Sequence, residues 1–167
     1  IPAGLANFSF GQGSSLASPL QIARVIAAIA GGGSSVTPRL VTGLTEDGET
    51  VSRRLPAYAG SEILTPDTAA SMQRLMTGVI EEGSGRTAQP LIGMAGGKTS
   101  SAQTGQFYKT AGGEEKEIVH AWFAGFYPAP GPRYSVTVFV EGGESGELVA
   151  APIFKRILDG LALLDRQ

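Results

Sequence analysis

Apolar residues recur at helical spacing in three places along the chain. In the first, Ile22, Val25, Ile26 and Ile29 follow Ser18-Pro19-Leu20-Gln21 and run into Gly31-Gly32-Gly33. A Ser with Gln three residues later, and Pro at the first helical position, is a helix-start signal because the two side chains satisfy backbone N–H groups that lack an intrahelical partner. The pattern predicts a helix over about 19–30. Thr65-Pro66-Asp67 opens a second helix by the same logic, with Ala69, Met72, Leu75, Met76, Val79 and Ile80 on its apolar face and Gly83 as its stop. The third covers about 149–165 and carries Ile153, Ile157, Leu158, Leu161 and Leu164 on one side, so that Ile153, Ile157 and Leu161 are expected to be buried.

Between the second and third helices the period becomes extended. Strands are expected over about 95–107, 120–128 (HAWFAGFYP) and 133–141 (RYSVTVFVE). Ala129-Pro130-Gly131-Pro132 joins the last two by a connection short enough for an antiparallel hairpin. TAGGEEKE, between the first two, reads as a solvated, mobile loop. Nearer the N-terminus, VTPRLVTGL reads as a short strand running into a turn at Glu46-Asp47-Gly48. Trp122 and Phe123 are expected to pack within the sheet, and the Met pair on the second helix to fill core. The order of elements argues for an α+β fold, an antiparallel sheet with packed helices.

Composition narrows the chemistry. At 167 residues, 42% hydrophobic and 17% charged, the chain is long enough for one domain with a sizeable core. A formal charge of -2 supplies no electrostatic footprint for nucleic acid. With no cysteine and a single histidine, His120, neither a thiolate metal site nor a His cluster is available, and no metal or cofactor is expected. His120 is expected to order a strand entrance. No apolar run reaches the length of a membrane span, and the opening IPAGLANF has no Met start, so a preceding segment is expected.

The stretch AGGKTSSAQTGQ holds a Gly-Lys-Thr that invites a phosphate-loop reading. That loop needs a glycine five positions before the Gly of Gly-Lys-Thr, and Ile92 stands there. Gly83-Ser84-Gly85-Arg86-Thr87-Ala88 matches the dinucleotide fingerprint in spacing but follows a helix where a strand is required, so it reads as a helix stop and loop. No G-x-S-x-G elbow exists, and one histidine gives no means of choosing a Ser-His-Asp triad. The remaining serine chemistry uses a Ser-x-x-Lys nucleophile, a Ser-x-Asn motif and a Lys-Thr-Gly strand, and Lys98-Thr99-Ser100 is nearly the third of these.

Several further segments, in order, carry the same resemblance. GQGSSLASPLQIARVIAAIAGGG, VIEEGSGRTA, GGKTSSAQTG, HAWFAGFYPAPGPRYSVTVFVE and AAPIFKRIL together resemble the C-terminal part of the transpeptidase domain of penicillin-binding proteins, the serine enzymes that cross-link peptidoglycan. The resemblance implies a β-lactamase-like fold and a partial transpeptidase domain over 1–167. It implies that Lys98 sits beside the nucleophile and holds the substrate carboxylate, that Thr99 hydrogen-bonds that carboxylate or relays a proton, and that Ser101 gives its backbone N–H to an oxyanion hole and its hydroxyl to the ligand. Gly97, Ser100 and Gln103 are implied as substrate-binding positions. The implied partners are the peptidoglycan stem peptide, β-lactam antibiotics and the N-terminal part of the same domain. The implied location is the extracytoplasmic face of a bacterial membrane, with an anchor outside this chain.

Two departures from the family pattern stand out. Ser100 occupies the position of the usual Gly and adds a Cβ where close backbone approach is needed. No Ser-x-x-Lys occurs, since Ala95, Gln106, Gly113 and Pro152 precede the four lysines at the third position, and the only asparagine, Asn7, has Leu5 two places before it. Two readings follow: the C-terminal portion of an enzyme whose nucleophile lies on a preceding segment, or a catalytically dead binding or scaffolding module of cell-wall assembly. Lys98 as an ordinary solvated strand lysine is the plainer alternative. Without the covering N-terminal half, the edge of the Lys98 strand is also expected to drive self-association.

Overall fold

The computed structural model describes residues 3–9, 11, 13, 15–56 and 60–166, so Gln12 of the GQG segment lies outside the described residues. A short helix α1 (Ala3–Ser9) precedes α2 (Pro19–Ala30). The helix-start signal of α2 works as its chemistry requires: the Gln21 N–H donates to Ser18 Oγ at 3.3 Å and the Ser18 N–H to Gln21 Oε1 at 2.7 Å. In α3 (Pro66–Glu81), Thr65 accepts from the Thr68 N–H. Strands β1 (Gly43–Thr45) and β2 (Val51–Arg54) form a separate hairpin. The first strand is thus shorter than the VTPRLVTGL pattern implied. In the turn between them the Asp47 carboxylate accepts from the Thr45 hydroxyl and from the Glu49 and Thr50 N–H groups, which hold it well below the usual carboxylate range.

The main sheet has three antiparallel strands in the order β3 (Met94–Lys109), β4 (Glu115–Ala129), β5 (Tyr134–Val140). The acidic part of TAGGEEKE is strand: β4 starts at Glu115, and only a turn closed by Thr110 and Gly113 remains as loop. A turn Gly146–Ala150 leads into α4 (Ala151–Leu164).

Both sheet faces are covered. On one, Ala121, Phe123, Tyr127 and Val138 pack against Phe154, Leu158 and Ala162 of α4; on the other, Ala124 and Phe126 pack against Ile26 and Ile29 of α2 and Met76 of α3. Because α3 also sends Ile80 into the first cluster and meets the sheet through β3, it lies along the β3 edge. Gln73 of α3 donates to the terminal carbonyls of Ile29 and Ala30, closing the end of α2.

The buried face of α4 differs from expectation. Ile153 and Ile157 are 39% and 40% exposed and Leu161 is half-buried, while Ala151, Phe154 and Leu158 are each 0% exposed. The helix carries two apolar stripes, and the sheet selects the one that fits a notch. A Cβ on Gly125 would lie 2.8 Å from the Phe154 ring, so this glycine admits the ring, which then packs on Phe123 at 4.5 Å between centroids. Val25, Met72 and Leu75 are exposed as well. The apolar faces of α2 and α3 are wider than the sheet they meet.

Candidate active site

Gly96-Gly97 opens the site strand, and neither glycine is conformationally special. Each leaves room for a cross-strand ring: a Cβ at Gly96 would fall 2.2 Å from Phe126 and one at Gly97 2.4 Å from Phe123. Aromatic rings from β4 therefore fill both sides of β3 where its own side chains are missing. Immediately beyond this dry stretch the strand becomes polar. Lys98, Ser100 and Ser101 are exposed and Thr99 is half-buried.

The Lys98 ammonium folds onto its neighbour, donating to the Thr99 carbonyl at 2.8 Å and to Thr99 Oγ1 at 3.3 Å. Thr99 Oγ1 also lies 3.0 Å from Ser84 Oγ, which comes from the turn after α3. Ser101 Oγ accepts the Gly146 N–H at 3.3 Å. Gly146 presses on the strand so closely that a Cβ there would sit 2.5 Å from the Ser100 carbonyl oxygen and 2.6 Å from that of Trp122. The Lys98–Ser101 segment is thus braced by β4, by the Gly146 turn and by the Ser84 turn.

The structure brings Lys98, Thr99, Ser100 and Ser101 together and sets two other positions apart. Gly97 is buried, with Phe123 where a side chain would be. Gln103 is five residues beyond Lys98, roughly 17 Å along an extended strand. Its amide donates to Glu117 Oε2 at 2.8 Å, while Glu117 Oε1 accepts the Gly105 N–H at 2.9 Å across an irregularity in β3–β4 pairing. His120 accepts the Gly142 N–H at Nδ1 (3.1 Å) and meets Phe139 edge-on, so it orders the end of β5. Trp122 meets Phe139 at a tilt, 4.6 Å between ring centroids, and Phe123 is core.

An open groove of about 510 Å³ between α3 and the strand ends at Met94 and Ala129 does not include Lys98. The candidate site is an edge, not a cavity. Among the described residues no group of three or more His, Asp or Glu side chains could hold a metal ion. What the edge offers is a cation and three hydroxyls for binding an anion, together with backbone donors for an extended ligand. Ser84 had no signal in the sequence as a site residue, because a serine between two glycines after a helix is an ordinary turn.

The chain is similar in sequence and in structure to known proteins. A family model described as penicillin binding protein transpeptidase domain matches residues 4–159. The chain is 31% identical over 156 residues to the peptidoglycan D,D-transpeptidase MrdA of Acinetobacter baumannii, covering 89% of this chain and 23% of that protein. It is 30% identical over 162 residues to the peptidoglycan D,D-transpeptidase PbpA of Mycobacterium tuberculosis, covering 94% and 32%. Its structure resembles that of penicillin-binding protein A from M. tuberculosis, solved as an imipenem acyl-enzyme complex, with a TM-score of 0.77 and 29% identity over 94% of this chain and 34% of that one. The chain spans about a quarter to a third of the length of these relatives.

Proposed function

The chain belongs to the penicillin-binding protein transpeptidase family, and from that premise we propose that it is the C-terminal portion of a serine-type peptidoglycan D,D-transpeptidase domain that binds β-lactams. One observation carries the reading: a lysine ammonium and a threonine hydroxyl 3.3 Å apart on the polar stretch of an edge strand, directly after its two ring-packed glycines. In the reaction, a serine on the N-terminal part of the domain attacks the penultimate D-alanyl carbonyl of a stem peptide, the terminal D-alanine leaves, and an amine of a second peptide takes up the acyl group. Lys98 and Thr99 hold the carboxylate of the leaving residue, Lys98 also biasing proton transfers at the nucleophile. The Ser101 N–H donates to the oxyanion formed on attack. Its hydroxyl, already accepting from Gly146, keeps its proton for the ligand. Ser100 and, further along, Gln103 line the path of an extended peptide added to the strand edge beyond the part of β3 that α3 and the Ser84 turn cover.

The partners that follow are the stem peptide, β-lactams and the N-terminal part of the same domain. The exposed apolar side chains Ile153, Ile157, Val25 and Leu75 support a chain that is stable only when paired, with that part or with a second copy of itself. No helix of the described residues is long and apolar enough to cross a membrane, and the extracytoplasmic membrane face is the site of action that the family reading supports.

Ser100 at the usual glycine position favours a second reading, a catalytically dead binding module. The two are separated by acylation of the full-length protein with a fluorescent penicillin. A serine adduct on the segment preceding this chain supports the enzyme; a full-length protein with no adduct, or an upstream segment without Ser-x-x-Lys and Ser-x-Asn, supports the module.

A further inference from the structure

We propose that Ser84 is a positioning residue of this site, setting the direction in which the Thr99 hydroxyl donates; the proposal rests on Lys98 and Thr99 being the carboxylate-binding groups. A hydroxyl has one proton and two lone pairs, and a lysine ammonium can only donate. The Lys98 ammonium therefore takes one lone pair of Thr99 Oγ1, at 3.3 Å. Ser84 Oγ, 3.0 Å from the same atom, can either donate into the second lone pair or accept the Thr99 proton. An ionised carboxylate arriving at the strand edge is acceptor-only, so it claims the Thr99 proton and leaves Ser84 one role, that of donor. Thr99 then has both lone pairs filled and its single proton pointed at the ligand. Two donors into one hydroxyl also polarise it and make it a stronger donor in turn. Without Ser84, the Thr99 hydroxyl keeps its partner Lys98 but loses the contact that fixes its rotation.

The turn that delivers Ser84 is built for close approach. The Gly83 and Gly85 N–H groups both reach the Val79 carbonyl, at 3.1 and 2.9 Å. A Cβ at Gly83 would stand 2.9 Å from that oxygen and one at Gly85 3.1 Å from it, so glycines on both sides let the chain fold tightly over the end of α3. Because α3 lies along the β3 edge, the apex of this turn faces Thr99. The far side of the turn is tied down by Thr87 Oγ1 donating to the Glu147 carbonyl at 2.8 Å, next to the Gly146 N–H that binds Ser101 Oγ at 3.3 Å. Ser84 is thus held relative to Thr99 through both ends of its turn, while its own side chain remains exposed.

The test is the second-order acylation rate of the full-length protein with a chromogenic β-lactam bearing a free carboxylate. Ser84→Ala should lower it by about threefold to tenfold, the worth of one hydrogen bond. The matched pair Ser84→Thr and Ser84→Val, alike in shape and differing in the hydroxyl, should separate by a similar factor, with Ser84→Thr restoring most of the parent rate. In a Thr99→Val background, Ser84→Ala should cause no further loss, because the group it acts through is gone. A loss of equal size in that background, or equal rates for Ser84→Thr and Ser84→Val, overturns the positioning role. A parent protein that does not acylate at all overturns the transpeptidase reading itself and the proposal with it.

Discussion

Gly97→Ala separates a packing glycine from a ligand-contact glycine. The added methyl would sit 2.4 Å from one Phe123 ring carbon, 2.8 Å from another and 3.2 Å from the Ala124 carbonyl oxygen. The Phe123 ring cannot swing away, because it is 0% exposed and its other side packs on Phe154, also 0% exposed. Relief requires a shift of β3 or of the Phe123–Phe154 pair, and overpacking of this kind costs about 1–3 kcal/mol. With a urea m-value of about 2 kcal/mol/M, a cost of about 2 kcal/mol moves the unfolding midpoint down by about 1 M. Shrinking the opposing ring should recover part of the loss, so Gly97→Ala with Phe123→Leu should be less destabilised than the sum of the single variants. The assay is equilibrium urea unfolding of the full-length protein and of its three variants in this cycle. An unchanged midpoint for Gly97→Ala, or strict additivity in the double variant, would refute the packing argument and return Gly97 to the role of a ligand contact.

Other outcomes follow from the same geometry. Phe154→Ala should cost roughly 3–5 kcal/mol in unfolding free energy, and Ile157→Ala on the outer stripe distinctly less; a reversed order would mean that the helix packs by the other face. The chain on its own should form no covalent adduct with a fluorescent penicillin, and mass spectrometry finding one on any of its serines would contradict the assignment. In the full-length protein Lys98→Ala should lower acylation by about 100-fold or more, whereas Ser100→Gly should leave it unchanged or raise it; a large drop for Ser100→Gly would give that serine a function of its own. At Asp159, burial opposes ionisation but is outweighed by the Leu91 N–H and by Lys155, so the carboxyl lies below its ordinary value. Its contribution is therefore present above the unfolded-state value of about 4 and lost as pH falls through the lowered native one. Asp159→Asn should accordingly be less stable than the parent at pH 7 and indistinguishable from it in strong acid, as read by thermal melts across pH.

Local signals were sufficient wherever the physics is local. The Ser18–Gln21 box and the Thr65 cap act within one turn, so α2 and α3 begin where their side chains dictate. The short Pro- and Gly-rich connection after Ala129 leaves an antiparallel neighbour as the simple pairing for β5, and the order of segments around Lys98-Thr99 carried the family resemblance. Elsewhere the pattern was degenerate. Two apolar stripes on α4 satisfy helical periodicity equally well, and only the notch at Gly125 and the ring of Phe123 decide that Phe154, not Ile153 or Ile157, faces inward. Glu115 to Glu117 read as solvated loop because charge repels burial, yet these residues form the exposed end of a hairpin whose hydrogen bonds come from β3. The approach of Ser84 to Thr99 across fifteen residues, and of Gly146 to Ser101 across forty-five, leaves no trace in spacing or composition. Such contacts exist because α3 lies along one strand edge and the turn before α4 packs on the same strand, and both placements are set by the whole core at once.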